Sequence, residues 1–465
     1  MSSSKPQHPN IVFILMDDLG WMDLACQGNR YHETPHLDRL AAEGVRFTQA
    51  YATAAICSPT RASLLTGQTP ARLNLTDFIG GHHHPWAKLT TPDWTRHLPE
   101  DQRTLPQTLG SAGYRSYFVG KWHLGKEPHT PASSGFDITI AGSNQGQPPS
   151  WFSPFGLANL EDAAPGEYLT DRLTDEAVTL LRDHRSAQPD QPFYLQLCHY
   201  APHTPLDAKD KWIAHYARKA DTHGRHSAVY AAMIHSVDES VGRIRAELEE
   251  HGIADDTLVV FTSDHGALHH STPNTPLRHG KATPYEGGLR VPLIVRGPGI
   301  ARGRVCDEPN WTCDHYPTLL EACGLPTDPE QHRDGRSLMP RLTEHAEPAP
   351  HVAPRDLCWH YPHYHLAPPY AAIRRGRYKL IEWMETGRSE LYDLWTDPSE
   401  TTDLRRRATG VANALLEGLR QWQQASDAQP MQPNPDYDPD RRYARNTPSG
   451  LVEMAICGRA DRPEP

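Results

Sequence analysis

The 465-residue sequence predicts an α/β protein. A large, mostly parallel sheet flanked by helices is followed by a smaller C-terminal antiparallel sheet with one helix. Three observations carry this reading. Short continuous apolar runs alternate with helical patterns up to about residue 350. Beyond that point the pattern changes to closely spaced short strands. The hydrophobic content of 37% can build a sizeable core, and 43 Pro and 33 Gly break it into many loops.

Residues 11–16 (Ile-Val-Phe-Ile-Leu-Met) form a β-branched and aromatic run, as in strands buried on both faces of a parallel sheet. A helix over 35–42 starts on a proline suited to the first turn. Residues 116–119, 193–197, 258–262 and 293–295 repeat the strand signature. Leu173, Ala177, Leu180 and Leu181 have helical spacing within 170–183. Ile234, Val237, Val241, Ile244 and Leu248 form one stripe within 227–250. Farther on, residues 356–360, 371–374 and 378–383 read as short strands, with Gly376 turning between the last two. A helix over 411–424 follows. The chain thus divides into an N-terminal domain (9–350), a C-terminal sheet subdomain (351–427) and a tail (428–465). The tail is rich in Pro, Asp and Arg and is expected to wrap the surface or to be partly disordered.

Forty-six basic against 57 acidic residues leave a net charge of −11, which argues against a generic nucleic-acid binder. An anionic substrate stays open, because a few cations invert the local potential of a cleft. The eight Cys include no C-x-x-C pair, so a zinc ribbon or thioredoxin motif is not expected. The first apolar run is too short to span a membrane. The first ten residues lack a basic segment followed by an apolar signal core. The expected location is the cytoplasm as the sequence stands, or the periplasm or exterior if a signal has been removed.

Chemistry concentrates at strand ends, where open α/β sheets collect ligands. Asp17-Asp18 follows the first strand, and Thr262-Ser-Asp264-His265-Gly266 ends another. Asp17, Asp18 and Asp264 together make an oxygen-rich site for a hard divalent cation. In Cys57-Ser-Pro-Thr-Arg61, Ser58 fits a helix cap, Pro59 the first turn, and Gly67 the end. Cys57 is therefore expected at a helix N-terminus, whose free N–H groups and dipole favour anions.

Cys57-Ser-Pro-Thr-Arg61, with Thr66-Gly67, resembles the signature of the type I sulfatases of the alkaline-phosphatase-like superfamily. Other segments agree in order and spacing. They are Asn10 to Asp18; Gly120-Lys121-Trp-His123-Leu-Gly125; Ala201-Pro-His203-Thr-Pro205; and Thr262 to Gly266. His279-Gly-Lys281, Tyr285-Glu-Gly-Gly with Arg290-Val-Pro292, and Glu390-Leu-Tyr-Asp393 with Asp397-Pro complete the set, which covers roughly residues 9–425.

The resemblance implies a mixed, mostly parallel alkaline-phosphatase-like sheet in a catalytic domain, and hydrolysis of sulfate monoesters. Cys57 is implied as the precursor of Cα-formylglycine, made by a maturing enzyme. Its hydrate is implied as the nucleophile, in covalent catalysis split into two easier steps. Asp17, Asp18, Asp264 and His265, with position 57, are implied to surround one divalent cation, Ca²⁺. Arg61 is implied to orient the diol, Lys121 and Lys281 to bind sulfate oxygens, His123 to assist elimination, and His203 to protonate the leaving oxygen. His265 stands where many family members carry Asn. An imidazole there ligates, sits behind the ligands, or biases the site towards a transition metal.

His82-His83-His84 follows the signature helix in a loop, and His360 and His363 lie in a second His/aromatic run. Aromatic faces with polar edges suit sugar rings. These five histidines are the candidate substrate-binding residues. Three consecutive His cannot all face one point, since extended side chains alternate. The loop resembles those of carbohydrate sulfatases acting on galactose or N-acetylgalactosamine 4-sulfate. The expected partners are a sulfated carbohydrate and the maturing enzyme, with no nucleic acid or membrane. The alternatives are a phosphonate monoester or phosphodiester hydrolase of the same superfamily, and a non-catalytic glycan-binding scaffold.

Overall fold

The computed structural model describes residues 8–162, 164–221, 226–343, 355–447 and 450–453. The N-terminal part begins with β1 (Asn10–Met16), α1 (Pro35–Ala42), β2 (Val45–Tyr51), α2 (Cys57–Thr66), β3 (Leu89–Thr90) and α3 (Leu105–Ser111). It continues with β4 (Arg115–Gly120), β5 (Ile138–Ile140), α4 (Leu169–Ala187), β6 (Phe193–Cys198), α5 (Asp210–Ala217), α6 (Ala228–Glu250) and β7 (Thr257–Ser263). It closes with α7 (Glu286–Leu289), β8 (Arg290–Arg296), β9 (Arg304–Cys306), β10 (Asn310–Trp311), α8 (His315–Ala322) and α9 (Met339–Leu342). The C-terminal part comprises β11 (Asp356–Tyr361), β12 (Tyr370–Arg375), β13 (Tyr378–Trp383), β14 (Arg388–Asp393) and α10 (Thr409–Ala425).

Nine strands form one mixed sheet in the order β10-β2-β8-β7-β1-β6-β4-β5, with β9 also on β2. β1 lies between β6 and β7, parallel to both, while β8 runs antiparallel to β7 and β2. The alternation of β1 divides its apolar side chains between two cores. Val12, Ile14 and Met16 pack with residues of α1, α4 and α6, whereas Ile11, Phe13 and Leu15 pack with those of α2, α3 and α8. A strand covered by helices on both faces must be apolar at every position, and residues 11–16 are at most 1% exposed. β2 lacks that signature. Arg46, Thr48 and Gln49 interrupt it, and its register with β8 shifts between Phe47 and Ala50.

Aligned register fixes where the site lies. Leu15 pairs with Cys198, Met16 with Ser263, and Gly120 with Cys198, so β1, β4, β6 and β7 end along one edge. At Gly120 (φ +105°) a Cβ would lie 1.9 Å from the Cys198 carbonyl oxygen, so only glycine fits before Lys121.

β11–β14 form a separate antiparallel sheet. One face packs against the main body through Leu357, Trp359, Tyr361 and Ile381, with Tyr51, Ile56 and Tyr285 opposite. The other face carries α10, through Cys358, Leu380, Leu391, Leu415 and Leu419. Gly376 (φ +58°) turns β12 into β13 as expected. β14, opening on Arg388, Ser389 and Glu390, is not marked by any apolar run. No helix among the described residues is long and apolar enough to cross a membrane.

Candidate active site

The segments leaving the aligned strand ends converge on the N-terminus of α2. Cys57 is the first residue of that helix, and Ile56 is its cap. This corrects the expected Ser58 cap. The Ser58 hydroxyl instead donates to the His123 carbonyl and accepts from the Ile79 N–H. It thereby ties the helix to two flanking loops. Gly67 ends the helix in the left-handed region (φ +71°), as expected.

Cys57 is buried, with Sγ 3.7 Å from Asp17 Oδ1 and 3.4 Å from His265 Nε2. Each carboxylate has one cation. Lys121 Nζ donates to Asp17 Oδ2 at 2.5 Å, and Lys281 Nζ to Asp18 Oδ1 at 2.7 Å. Arg61 grips Asp264 Oδ2 through Nε at 3.0 Å and donates its Nη1–H to the Lys121 carbonyl. Three carboxylates therefore face three fixed cations, all buried. A divalent ion and an anionic ester added to that neutral set complement each other in a low-dielectric pocket.

The donor set fits such an ion. Asp18 Oδ2 and Asp264 Oδ1 are buried without a hydrogen-bond partner. The ligand-capable atoms of Asp17, Cys57, Asp264 and His265 lie within 4.8 Å of one another, as do those of Asp17, Asp18, Cys57 and His203. His265 Nδ1 faces its neighbour's carbonyl at Gly266, 2.9 Å away. With its proton there, Nε2 presents a lone pair 3.3 Å from both Asp18 Oδ1 and Asp264 Oδ1. The imidazole thus sits among the would-be ligands.

The electrostatics follow from this crowding. Burial pushes the Asp17 carboxyl up to about 7, against the pull of Lys121. At Asp18 burial is outweighed by His203, Lys281 and His265, which hold it low. At Cys57 burial is likewise outweighed, by Lys121, Lys281 and His265, so its thiol falls well below the ordinary range. Burial disfavours a charged His265, but Asp264 and Cys57 raise it to about 9. The cation and that proton therefore compete for one place.

Two further histidines approach the cluster. Lys281 Nζ donates to His203 Nε2 at 2.9 Å, and His203 Nδ1 bonds the Thr204 carbonyl. His123 (φ +57°) directs Nε2 to the Ile79 carbonyl at 3.0 Å, leaving a buried Nδ1 without a hydrogen-bond partner. The ten residues expected at the centre thus meet, whereas the expected sugar residues divide.

His82 is half-buried, His83 exposed and His84 buried, the alternation anticipated for an extended run. His82 lies edge-on to Phe78 (ring centroids 5.0 Å), and Phe78 is 6.4 Å from His123. His360 is a correction. Trp359 and Tyr361 face the main body, so His360 takes the opposite face of β11. There it bonds the Gln429 carbonyl and Gln423 of α10. His363 is also corrected, being 2% exposed and set between Thr76 Oγ1 and Asp77, a joint between loop and sheet. Sequence reasoning missed His365, whose ring lies 4.4 Å from His82 and 5.7 Å from Phe78. Its signal was present, since the run reads Trp359-His-Tyr-Pro-His-Tyr-His365. The seven described cysteines are all free.

A family profile described as Sulfatase matches residues 9–325. A second, described as N-sulphoglucosamine sulphohydrolase, C-terminal, matches 279–425. The N-acetylgalactosamine-6-sulfatase of Rattus norvegicus is 33% identical over 414 residues, covering 83% of this chain and 74% of that protein. A sulfatase of Formosa agariphila is 32% identical, covering 90% of this chain and 89% of its own. The crystal structure of Ps i-CgsB in complex with k-i-k-neocarrahexaose superposes with a TM-score of 0.74 at 28% identity, covering 92% of this chain and 94% of that one.

Proposed function

From the chain's membership of the sulfatase family, we propose that it releases sulfate from sulfated galactose-type sugars, N-acetylgalactosamine foremost, using position 57 as nucleophile. The observation that carries this reading is the convergence on Cys57 of three cation-paired carboxylates, two lysines and two histidines in one buried cluster. Position 57 is matured to Cα-formylglycine, and the cage of Asp17, Asp18, Asp264 and His265 holds Ca²⁺, which suits an oxygen-dominated donor set. Bound there, the cation would supply Lewis acidity that polarises the nucleophile and offsets the negative charge of the ester.

The chain's own groups do the rest. Arg61, locked onto Asp264, fixes the first turn of α2 and with it position 57. Lys121 and Lys281 bring positive charge to the oxygens on which negative charge builds up. His123, with Nε2 committed to the Ile79 carbonyl, offers Nδ1 to take a proton from the nucleophilic group. His203 presents Nε2 on the leaving-group side, and Lys281 beside it makes that nitrogen the place from which a proton reaches the departing alcohol.

The test is a panel of matured protein with N-acetylgalactosamine 4- and 6-sulfates, galactose 6-sulfate, glucosamine 6-sulfate and 4-nitrophenyl phosphate. Sulfate release from an N-acetylgalactosamine sulfate is expected to be fastest, with the 6-sulfate ahead of the 4-sulfate in keeping with the names of the relatives. Chelation is expected to remove that activity and lower the thermal midpoint, and Ca²⁺ to restore both. Faster turnover of the phosphate ester overturns the reading in favour of a phospho-hydrolase. Release from glucosamine alone overturns the sugar assignment.

A further inference from the structure

Both family profiles end by residue 425, yet the tail beyond it is packed against the segment that follows His82–His84. Gln432 and Pro433 pair antiparallel with Thr90 and Leu89 of β3. Asn434 donates from Nδ2 to the carbonyls of Pro85 (2.8 Å) and Ala87 (2.7 Å), and its N–H bonds the Lys88 carbonyl. Asp438 donates its N–H to the Trp86 carbonyl, and the Arg441 guanidinium lies 3.3 Å from the centroid of the Trp86 ring. Tyr443 packs with Ala87 and Tyr364 in a small separate core, flanked by Leu366 and Met431.

The segment so held is the one that follows the three histidines. Its other side is tied to the loop after β11. Leu89 donates its N–H to the Tyr364 hydroxyl, and Tyr364 and Tyr443 both bond Glu385. Lys88 Nζ donates to the Glu385 carbonyl. The outcome is local. His82 and His365, from segments almost three hundred residues apart, meet beside Phe78, whose ring centroid in turn lies 6.4 Å from that of His123. The Leu366 N–H donates to His365 Nδ1, which fixes the orientation of that ring. Two imidazole rings against an aromatic face make an amphipathic surface that matches a sugar ring rather than the sulfate.

We propose that residues 428–443 are a specificity-determining strap, which positions the His82 loop against His365 to form the subsite for the sugar that carries the sulfate. The proposal rests on the sulfatase reading above. The strap touches none of the groups around Cys57, so its contribution is to binding of the sugar and not to the chemistry. It acts by ordering two loops before the sugar arrives, which lowers the entropy cost of binding.

The experiment compares the full chain with Asn434→Ala, Arg441→Ala and the double variant, with Arg441→Lys as the conservative control. Each is assayed on N-acetylgalactosamine 6-sulfate and on 4-nitrophenyl sulfate, a sulfate ester without a sugar. The double variant is expected to raise KM for the sugar sulfate about tenfold at unchanged kcat, and to leave the aryl sulfate untouched. Amide exchange over residues 82–89 is expected to quicken, and Arg441→Lys to restore part of the loss. Equal losses on both substrates, or no change on either, overturn the strap. An unaltered chain that releases sulfate from neither overturns the sulfatase reading beneath it.

Discussion

Cys57→Ala is expected to abolish sulfate release, a loss of roughly 10⁴- to 10⁶-fold, as when a covalent nucleophile is removed. The size follows from the geometry. No other described side chain stands at the α2 N-terminus with Lys121, Lys281, His203 and His265 about it. Cys57→Ser is expected to fail as well where the maturing enzyme acts on the thiol, because the serine hydroxyl is then left unconverted. Both variants should fold. The three ion pairs of the site do not involve the sulfur, and Ala and Ser fit where Cys fits. A thermal midpoint near that of the parent, with mass spectrometry showing the parent peptide converted from thiol to aldehyde, separates loss of the nucleophile from loss of the fold. Full turnover by Cys57→Ala sinks the assignment.

Much of this centre is legible in the sequence, because the fold places consecutive residues at strand ends. Asp17-Asp18 and Asp264-His265 follow buried apolar runs, and aligned register brings those runs' ends together. Cys57 and Arg61 are one helical turn apart, so a single helix presents both. What escaped depends on which face a side chain takes or on distant packing. His360 reads like His363 and His365 in the sequence, yet the pleat turns it towards α10. β2 carries polar residues that apolar patterning cannot assign, and β14 is marked only by the resemblance of Glu390–Asp393 to the family's C-terminal strand. The tail is expected from composition to wrap the surface or to be partly disordered, but composition does not say what it would grip: Asn434 and Arg441 find backbone carbonyls and a Trp ring some 350 positions earlier. Charged residues are assumed to be on the surface, which hides Lys379 as well.

Lys379→Met is expected to destabilise the chain by about 3–5 kcal/mol at pH 8, since it leaves buried carboxylates unpaired. Lys379 is fully buried in β13, on the face turned to the main body. Its ammonium lies 3.0 Å from Glu286 Oε1 and 2.9 Å from Glu400 Oε1, and both acids are also fully buried. Glu400 Oε2 accepts the Glu286 N–H, while Glu286 Oε2 accepts from the Tyr51 hydroxyl. The knot joins three separate elements to α7, the turn five residues after Lys281. Burial raises Glu400 to about 7, with Glu286 adding to the rise and Lys379 opposing it; at Glu286 burial is outweighed by Lys379, Arg290 and Arg374, which hold it low. Removing the ammonium takes the main opposing charge from both acids, so both carboxyls move upward. A carboxyl raised in the folded state keeps its proton where the unfolded chain has lost it, so stability falls as pH rises between those two values. The deficit of Lys379→Met is therefore expected to shrink as pH falls from 8 towards 5. Thermal midpoints of parent and variant across that range measure it. A deficit that stays constant or grows on acidification would show that Lys379 does not serve as the counter-charge of this pair.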